Sequence, residues 1–511
     1  MNAENPYDQQ EYPGSPRPQA HPRRLRTHAW LHGHRAAELA GARVLELGCG
    51  DAQHLIWLAS EFPQMRLVGV DLAESGVRRG RDIARAAGLK VELHACDLRA
   101  IDAGWGEFDY IIAHGVYSWV PPAVRDALLA VCAERLAPAG VAFVSYNTLP
   151  GGHMRRLLED MLTYHVRDMA APAERMLAAR DFAQRLVAWS AEGEPERAVL
   201  AAECQRLLEM TPAGLYHDAL ADINTPLLFA DFAAHAARHG LAYLAEAHFS
   251  DAERIWLNPN FADEVAQLAS GRVAREQYAD FARMRRFRQT LLVHADVGVS
   301  AVPLVAAVRD MAVAARLTAG EPGASGARSF SDGKNGSISI ADPARAHLME
   351  VLAQMAPARL PFADAARFTG ARDEEALADL ARFFLVLYSA GMAELELDRT
   401  PIACVVAERP AVTAYARWQV GQGAAVATLR GQVLEIEDAL SRALIGLLDG
   451  QRDVADIAHA LAAQVRTQNL PLPPALESSP DHADLEALLA ARLPEKLAEL
   501  ARVGLLVEAG A

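Results

Sequence analysis

Three carboxylates and one glycine turn recur along the first hundred residues at a spacing suited to a small charged ligand. Val44-Leu45-Glu46-Leu47 reads as a buried strand and runs into Gly48-Cys49-Gly50-Asp51-Ala52. Glycines at such a turn let the backbone approach a ligand closely, and the helix that follows offers free amides at its N-terminus. Glu46 is an acid inside an apolar strand, where a charge is costly without a partner. Asp71 closes the next strand, in the place where an acid can take a ribose diol. Asp97 follows a third strand in Ala95-Cys96-Asp97-Leu98, positioned to reach an adenine amine. Gly48, Gly50 and Gln53 break the three-glycine dinucleotide fingerprint, which speaks against a nicotinamide cofactor.

A second group of residues leaves the sheet at the same rim. Strand four ends in His114-Gly115-Val116-Tyr117-Ser118-Trp119, and strand five in Tyr146-Asn147-Thr148-Leu149-Pro150-Gly151-Gly152. In open parallel sheets ligands bind outside the carboxyl ends of the strands. His114, Tyr117, Trp119, Tyr146 and Asn147 are therefore expected around the reacting centre, with His114, Tyr117 and Tyr146 as catalytic candidates. Two structural readings compete. Tyr117 and Trp119 could pack the loop onto the helix beginning at Pro122, and Asn147 could shape the Asn-Thr-Leu-Pro-Gly turn.

The elements that must hold these residues alternate. Helical character runs from Arg23 to Leu39. Strand patterns follow at 42–47, 66–70, 90–95, 108–113 and 140–146, with helices between them at 51–62, 74–87 and 122–136. Such alternation predicts an α/β fold with a doubly wound parallel sheet. Residues 153–208 are helical throughout, and strand signals return at 241–247 and 288–294. A Gly/Ser-rich stretch at 319–337 reads as a linker or a long hairpin wing. Behind it lie two helix–helix–helix–strand units, ending near 393–397 and 504–508, in a winged-helix arrangement.

Length and charge narrow the classes. A chain of 511 residues suggests three or four domains. Its net charge of −15, weighted toward the rear half, argues against nucleic acid, because phosphate binding needs a basic face. Five scattered cysteines without a CxxC pair predict reduced thiols and a cytoplasmic setting. The opening residues show neither a basic n-region nor an apolar core, so no signal peptide is expected. The longest apolar run, 297–308, is too short to span a bilayer. His28 and His32 have helical i, i+4 spacing, but no carboxylate or cysteine nearby completes a set, so no metal is expected. The basic run Arg283-Met284-Arg285-Arg286-Phe287-Arg288 reads as a solvated face or as ion pairs with the acidic domains.

An acid in strand one, a Gly-Cys-Gly turn, and acids after strands two and three resemble class I S-adenosylmethionine methyltransferases. The resemblance implies that Glu46 meets the methionine amino end and that Gly48, Cys49 and Gly50 line the methionine. It places Asp71 and Leu72 at the ribose; Cys96, Asp97 and Leu98 at the adenine; and His114 and Gly115 beside the cofactor. Ala52 stands where many members carry glycine. The loop after strand four lacks the Asn/Asp-Pro-Pro-Tyr/Phe motif, which makes DNA bases and glutamine unlikely substrates.

Longer segments narrow the resemblance further: HGVYSWVP, SYNTLPGG, the stretch from Leu215 to Asp251 and the stretch from Glu276 to Asp296. These resemble bacterial methyltransferases that carry a methyltransferase regulatory domain, among them the rickettsial lysine methyltransferases of outer-membrane protein. The implied organisation is an arm and lid helix at 1–40, a cofactor-binding core at 41–152, and a helical dimerisation insertion at 153–212. A regulatory segment at 213–297 would complete the sheet, and winged-helix-like domains would occupy 298–408 and 409–511. The implied function is methyl transfer from S-adenosylmethionine to lysine amines of a protein, possibly an outer-membrane or surface protein, by a homodimer without membrane insertion. Tyr7 and Tyr12 of the arm would close over the pocket. The alternatives are a small-molecule methyltransferase and, more remotely, a non-enzymatic winged-helix regulator.

Overall fold

A computed structural model describes residues 11–190, 194–249, 259–315, 317–322, 327–333, 336–472 and 482–509. The arm enters through helix α1 (Pro22–Leu31), which Pro22 starts and whose first turn is capped by the His21 side chain accepting from the Arg23 amide. This helix stops earlier than its sequence suggests, because the chain turns through Gly33 at φ +82°.

Strands β1 (Arg43–Leu47), β2 (Arg66–Asp71), β3 (Glu92–Ala95), β4 (Phe108–Ala113) and β5 (Leu136–Asn147) alternate with α2 (Gln53–Glu61), α3 (Glu74–Ala86) and α4 (Pro122–Arg135). Three helices, α5 (Gly152–Val166), α6 (Pro172–Trp189) and α7 (Pro195–Leu208), form the insertion. They bury their own core of Leu158, Leu162, Ala179, Ala183, Cys204 and Leu207. The chain then returns through α8 (Phe229–Arg238), β6 (Leu241–Glu246), α9 (Pro259–Leu268), α10 (Arg272–Arg283) and β7 (Phe287–His294).

These strands make one seven-stranded sheet in the order β3-β2-β1-β4-β5-β7-β6, with β7 antiparallel to both neighbours. Order reverses beside β1, which opens a crevice at the carboxyl ends of β1 and β4. Both faces are covered, so the central strands read as continuous apolar runs. Val44, Tyr110, Ile112 and Phe143 pack toward α1, α2 and α3. Leu45, Leu47, Ile111, Val144 and Tyr146 pack on the other side, toward α4 and α8.

Arg285, Arg286 and Arg288 of the arginine run pair with carboxylates of the sheet and its helices, not with the rear domains. Arg288 is buried and donates to Glu246 Oε1 at 2.6 Å and Asp280 Oδ2 at 2.8 Å. Arg285 reaches Asp280 at 3.0 Å, and Arg286 pairs with Glu203 of α7. The run ties the last strand to the carboxylates of β6, α7 and α10.

The rear of the chain holds two further cores. In the first, β8 (Ala312–Ala315) is flanked by β12 (Arg359–Pro361) and β13 (Ala393–Glu396). Helices α11 (Pro343–Met355), α12 (Phe362–Thr369) and α13 (Glu374–Ser389) pack on it. The Gly/Ser-rich stretch is a wing: β9 (Thr318–Pro322), β10 (Arg328–Ser331) and β11 (Ser337–Ile340) pair antiparallel. In the second, α14 (Ala414–Gln422), α15 (Ala439–Leu447), α16 (Val454–Gln468) and α17 (His482–Arg502) surround Leu444, Ile445, Leu461 and Leu497. Two short ladders complete it: β14 (Ala411–Val412) with β17 (Leu506–Val507), and β15 (Ala425–Ala427) with β16 (Val433–Glu435). Among the described residues no helix is long and apolar enough to cross a membrane.

Candidate active site

The turn after β1 is left-handed three times, at Gly48 (φ +73°), Gly50 (φ +55°) and Ala52 (φ +56°). A side chain at Gly48 would also strike Val116 Cγ2 at 2.4 Å, so glycine is required there on two counts. Asp71 braces the turn. Its Oδ2 accepts from the Gly50 amide at 2.8 Å and its Oδ1 from the Ala73 amide at 2.8 Å. Both oxygens of the carboxylate are thereby fixed beside the glycine turn, at the carboxyl end of β2. Leu72 beside it is 64% exposed, an apolar surface offered to a ligand ring. Cys49 is buried, and burial beside Asp71 and Glu46 raises its thiol well above the ordinary range, which removes nucleophilic character.

Strand alternation sorts the remaining candidates. Glu46 shares a face with Val44, and His114 follows Ile112 on that same face. Burial raises the Glu46 carboxyl to about 8, and its Oε2 has no hydrogen-bond partner among the described residues. His114 is stacked at 6.1 Å on Phe143, and burial pulls it down to about 3, so it is neutral. Gly115 donates its amide to Ser145 Oγ at 2.8 Å. Asp97, with Leu98 and Cys96, lies at the end of β3 and is held by the Arg99 guanidinium, which keeps its carboxyl below the usual range.

Tyr146 and Asn147 part company. Asn147 lies on the Phe143 side, and its Nδ2 donates to Asn224 Oδ1 at 2.8 Å. Asn224 in turn donates to Glu159 Oε1 at 2.7 Å, which also accepts from Arg155 at 2.9 Å. Tyr146 points to the opposite core, stacked on Phe232 at 4.0 Å with its hydroxyl on Thr290. Tyr117 joins it there, 1% exposed, with its hydroxyl 2.6 Å from His235 Nδ1. The structure therefore does not bring Tyr117 and Tyr146 to the crevice face that holds Glu46 and His114. Tyr117 packs edge-on against Phe232 of α8 at 5.1 Å. Trp119 sits at the rim, under the Arg155 guanidinium at 5.4 Å.

The arm crosses this rim. The Gly14 amide donates to both Asp51 oxygens at 3.1 and 3.2 Å, and the Arg17 amide donates to His54 Nδ1 at 3.2 Å. The Tyr12 ring meets His217 edge-on at 5.5 Å and its hydroxyl bonds Asp218. The Arg17 charge acts on Glu46, His114, Tyr12 and Asp218 alike, which sets it between the cofactor end and the outer rim. Tyr7 lies outside the described residues. Sequence reasoning missed Arg17, Glu159, Asp218 and Asn224, because the contacts that bring them to the rim, Arg17 to His54, Asn224 to Glu159 and Asn147, and Asp218 to Tyr12, join segments far apart in the chain; the i, i+4 pair Arg155–Glu159 is the one local signal. A cavity of about 790 Å³ lies elsewhere, among Arg24, Tyr388, Glu396 and Arg430, and includes none of the glycine turn.

These residues fit S-adenosylmethionine. Glu46 offers an unpartnered buried oxygen to an ammonium, the glycine turn admits a chain without side-chain obstruction, and Asp71 with Leu72 suits a ribose and its ring. Family models agree: a methyltransferase domain matches residues 44–140, a predicted methyltransferase regulatory domain matches 211–294, and a PKMT C-terminal winged helix domain matches 408–505. Protein RP028 of Rickettsia prowazekii is 32% identical over 229 residues, 44% of this chain and 91% of that protein. Protein RP789 of the same organism is 38% identical over 303 residues, 58% of this chain and 54% of that protein, so the chain spans about half of the latter relative. The fold is that of PKMT2 from Rickettsia typhi, with a TM-score of 0.86 at 24% identity, over 97% of this chain and 100% of that one. The chain belongs to the class I, S-adenosylmethionine-dependent methyltransferases that carry a methyltransferase regulatory domain.

Proposed function

We propose that the chain methylates lysine amines of a protein substrate. The observation that carries this reading is the polar rim beyond Glu46 and His114: Asp218, Glu159, Tyr12, Asn147 and Trp119, a carboxylate and aromatic lining that already holds the Arg155 guanidinium on Trp119 and Glu159 and so suits a cationic side chain. The C-terminal domain supports it, since its family model is named for PKMT proteins, and PKMT2 from Rickettsia typhi has been solved with AdoHcy.

When bound, S-adenosylmethionine supplies an electrophilic methyl group for in-line displacement. Glu46 would hold its ammonium, the Gly48–Gly50 amides its methionine backbone, and Asp71 its ribose hydroxyls. Leu72, Cys96, Asp97 and Leu98 would enclose the adenine. The protein's remaining task is to align the amine and let it shed a proton, since free lysine holds that proton up to about 10.4. Burial raises the Asp218 and Glu159 carboxyls from their ordinary values, against the pull of Arg155, and these two carboxylates are the proton acceptors we assign to the rim. Neutral His114 lies on the cofactor side, where it orients rather than titrates.

The small-molecule reading draws on one observation, the arm closing the rim. Incubation with labelled S-adenosylmethionine and bacterial surface proteins, followed by peptide mass spectrometry, separates the two. Methylated lysines support the proposal, and label confined to metabolites overturns it. We further propose a cytoplasmic homodimer joined through the insertion, whose Tyr164, Leu177 and Trp189 are exposed. Light scattering on Leu177→Glu/Trp189→Glu should show a monomer where the parent is a dimer.

A further inference from the structure

On the far side of the sheet from the glycine turn, three side chains from two helices converge. His235 on α8 and His239 at its C-terminal end are one helical turn apart, and both direct Nε2 at Asp126 Oδ1 of α4, at 3.1 and 3.0 Å. All three ligand atoms lie within 4.8 Å of one another. Around a tetrahedral ion with bonds of about 2.0–2.1 Å, neighbouring ligand atoms stand about 3.3–3.4 Å apart. The two nitrogen–oxygen separations differ from this by a few tenths of an ångström, and the two imidazole nitrogens, within 4.8 Å of each other, approach it by turning the rings about their side-chain bonds. Asp126 is exposed, so water can complete the coordination.

The surroundings are those of a ligand histidine. His235 Nδ1 lies 2.6 Å from the Tyr117 hydroxyl. A neutral imidazole bound to a metal through Nε2 carries its proton on Nδ1, which would then donate to the Tyr117 oxygen; such a bond fixes tautomer and ring orientation. Without a metal, the same geometry has Nε2 donating to Asp126 and the tyrosine donating to Nδ1. Arg125 and Arg238 lie nearby and Asp231 offsets part of their charge.

We propose that Asp126, His235 and His239 bind a divalent borderline transition metal, zinc in preference, as a clamp between the methyltransferase domain and the regulatory segment. Through His235 and Tyr117 the clamp reaches the short turn Tyr117–Trp119, whose Trp119 stands at the active-site rim. Imidazole and carboxylate donors with open water positions suit this class of ion, and calcium and magnesium prefer all-oxygen sets.

The test uses full-length, tag-free protein stripped with chelator and titrated with Co²⁺, then displaced by Zn²⁺. The expected result is a saturable visible d–d spectrum at a single equivalent per chain, with a Zn²⁺-dependent rise in the unfolding temperature. His239→Ala and Asp126→Ala should lose both, and His347→Ala, an exposed histidine elsewhere, should lose neither. Tyr117→Phe should keep the spectrum but weaken binding about 10- to 100-fold. Circular dichroism verifies folding, and His239→Gln replaces the alanine variant should that unfold. No saturable spectrum, or a spectrum that survives in folded His239 and Asp126 variants, overturns the site.

Discussion

Glu46 shows how one side chain can report on both empty and filled states. Burial raises its carboxyl from 4.5 to about 8. Between those values the folded chain keeps a proton that the unfolded chain releases, so this contribution to stability is fully present below pH 4.5 and is lost as pH rises through 8. A bound ammonium reverses the preference and expels the proton. Titrating S-adenosylhomocysteine near pH 7 in buffers of differing ionisation enthalpy should show release of close to one proton. Glu46→Gln should abolish that release and weaken binding about 10- to 100-fold, the equivalent of one charge-assisted hydrogen bond at about 1.5–3 kcal/mol. Buffer-independent heats would exclude Glu46 as the ammonium partner. Much of this was legible in advance: an acid within an apolar strand demands a partner. Tyr146 and Asn147 were harder, because adjacent strand residues face opposite sides, and only the register with β4 and β7 decides which one meets the crevice.

Elements position the site through contacts distant in sequence. The arm is tied to the glycine turn by Gly14–Asp51 and to α2 by Arg17–His54. Removing residues 1–16 should leave the circular dichroism spectrum intact while weakening S-adenosylhomocysteine binding at least tenfold by calorimetry; unchanged affinity would show the arm to be incidental. On the regulatory side, Arg288 is fully buried among Glu246, Asp280 and Glu276. Arg288→Ala leaves carboxylates buried without their cation, and urea unfolding should show a loss of about 3–5 kcal/mol. A loss under 1 kcal/mol would mean that water or Arg285 takes over. The strands themselves were legible because their runs of Val, Ile and Leu are bounded by glycine and acid. The shortened α1 was not, because Gly33 ends it where the residues beyond still favour a helix.

At the scale of the whole molecule, the rear half is not a loose appendage. Tyr415 of α14 donates to Gln53 Oε1 at 2.7 Å, the first residue of the helix behind the cofactor turn. Gly431, at φ +71°, brings the C-terminal domain against the arm and α2, where an added Cβ would stand 2.6 Å from Pro18 and 2.8 Å from Trp57. Gly431→Val should therefore part the C-terminal domain from the catalytic core: small-angle scattering should show a larger radius, and the unfolding temperature should fall by several degrees. An unchanged radius with an unchanged melt would show that the interface repacks freely. The charge of −15 argues against nucleic acid, and an acidic rear half suits a cationic protein partner. The proposed lysine substrate keeps that use.

By itself the sequence determined the sheet, the glycine turn, its three acids and the winged character of the rear units. Each of these is local: a run of apolar residues, a φ that only glycine adopts readily, a repeat of helix and strand. Tertiary structure alone decided which face Tyr117 and Tyr146 serve, that Arg17 enters the site from the arm, and that His235, His239 and Asp126 meet. Those depend on packing between segments up to a few hundred residues apart, where spacing along the chain carries no distance.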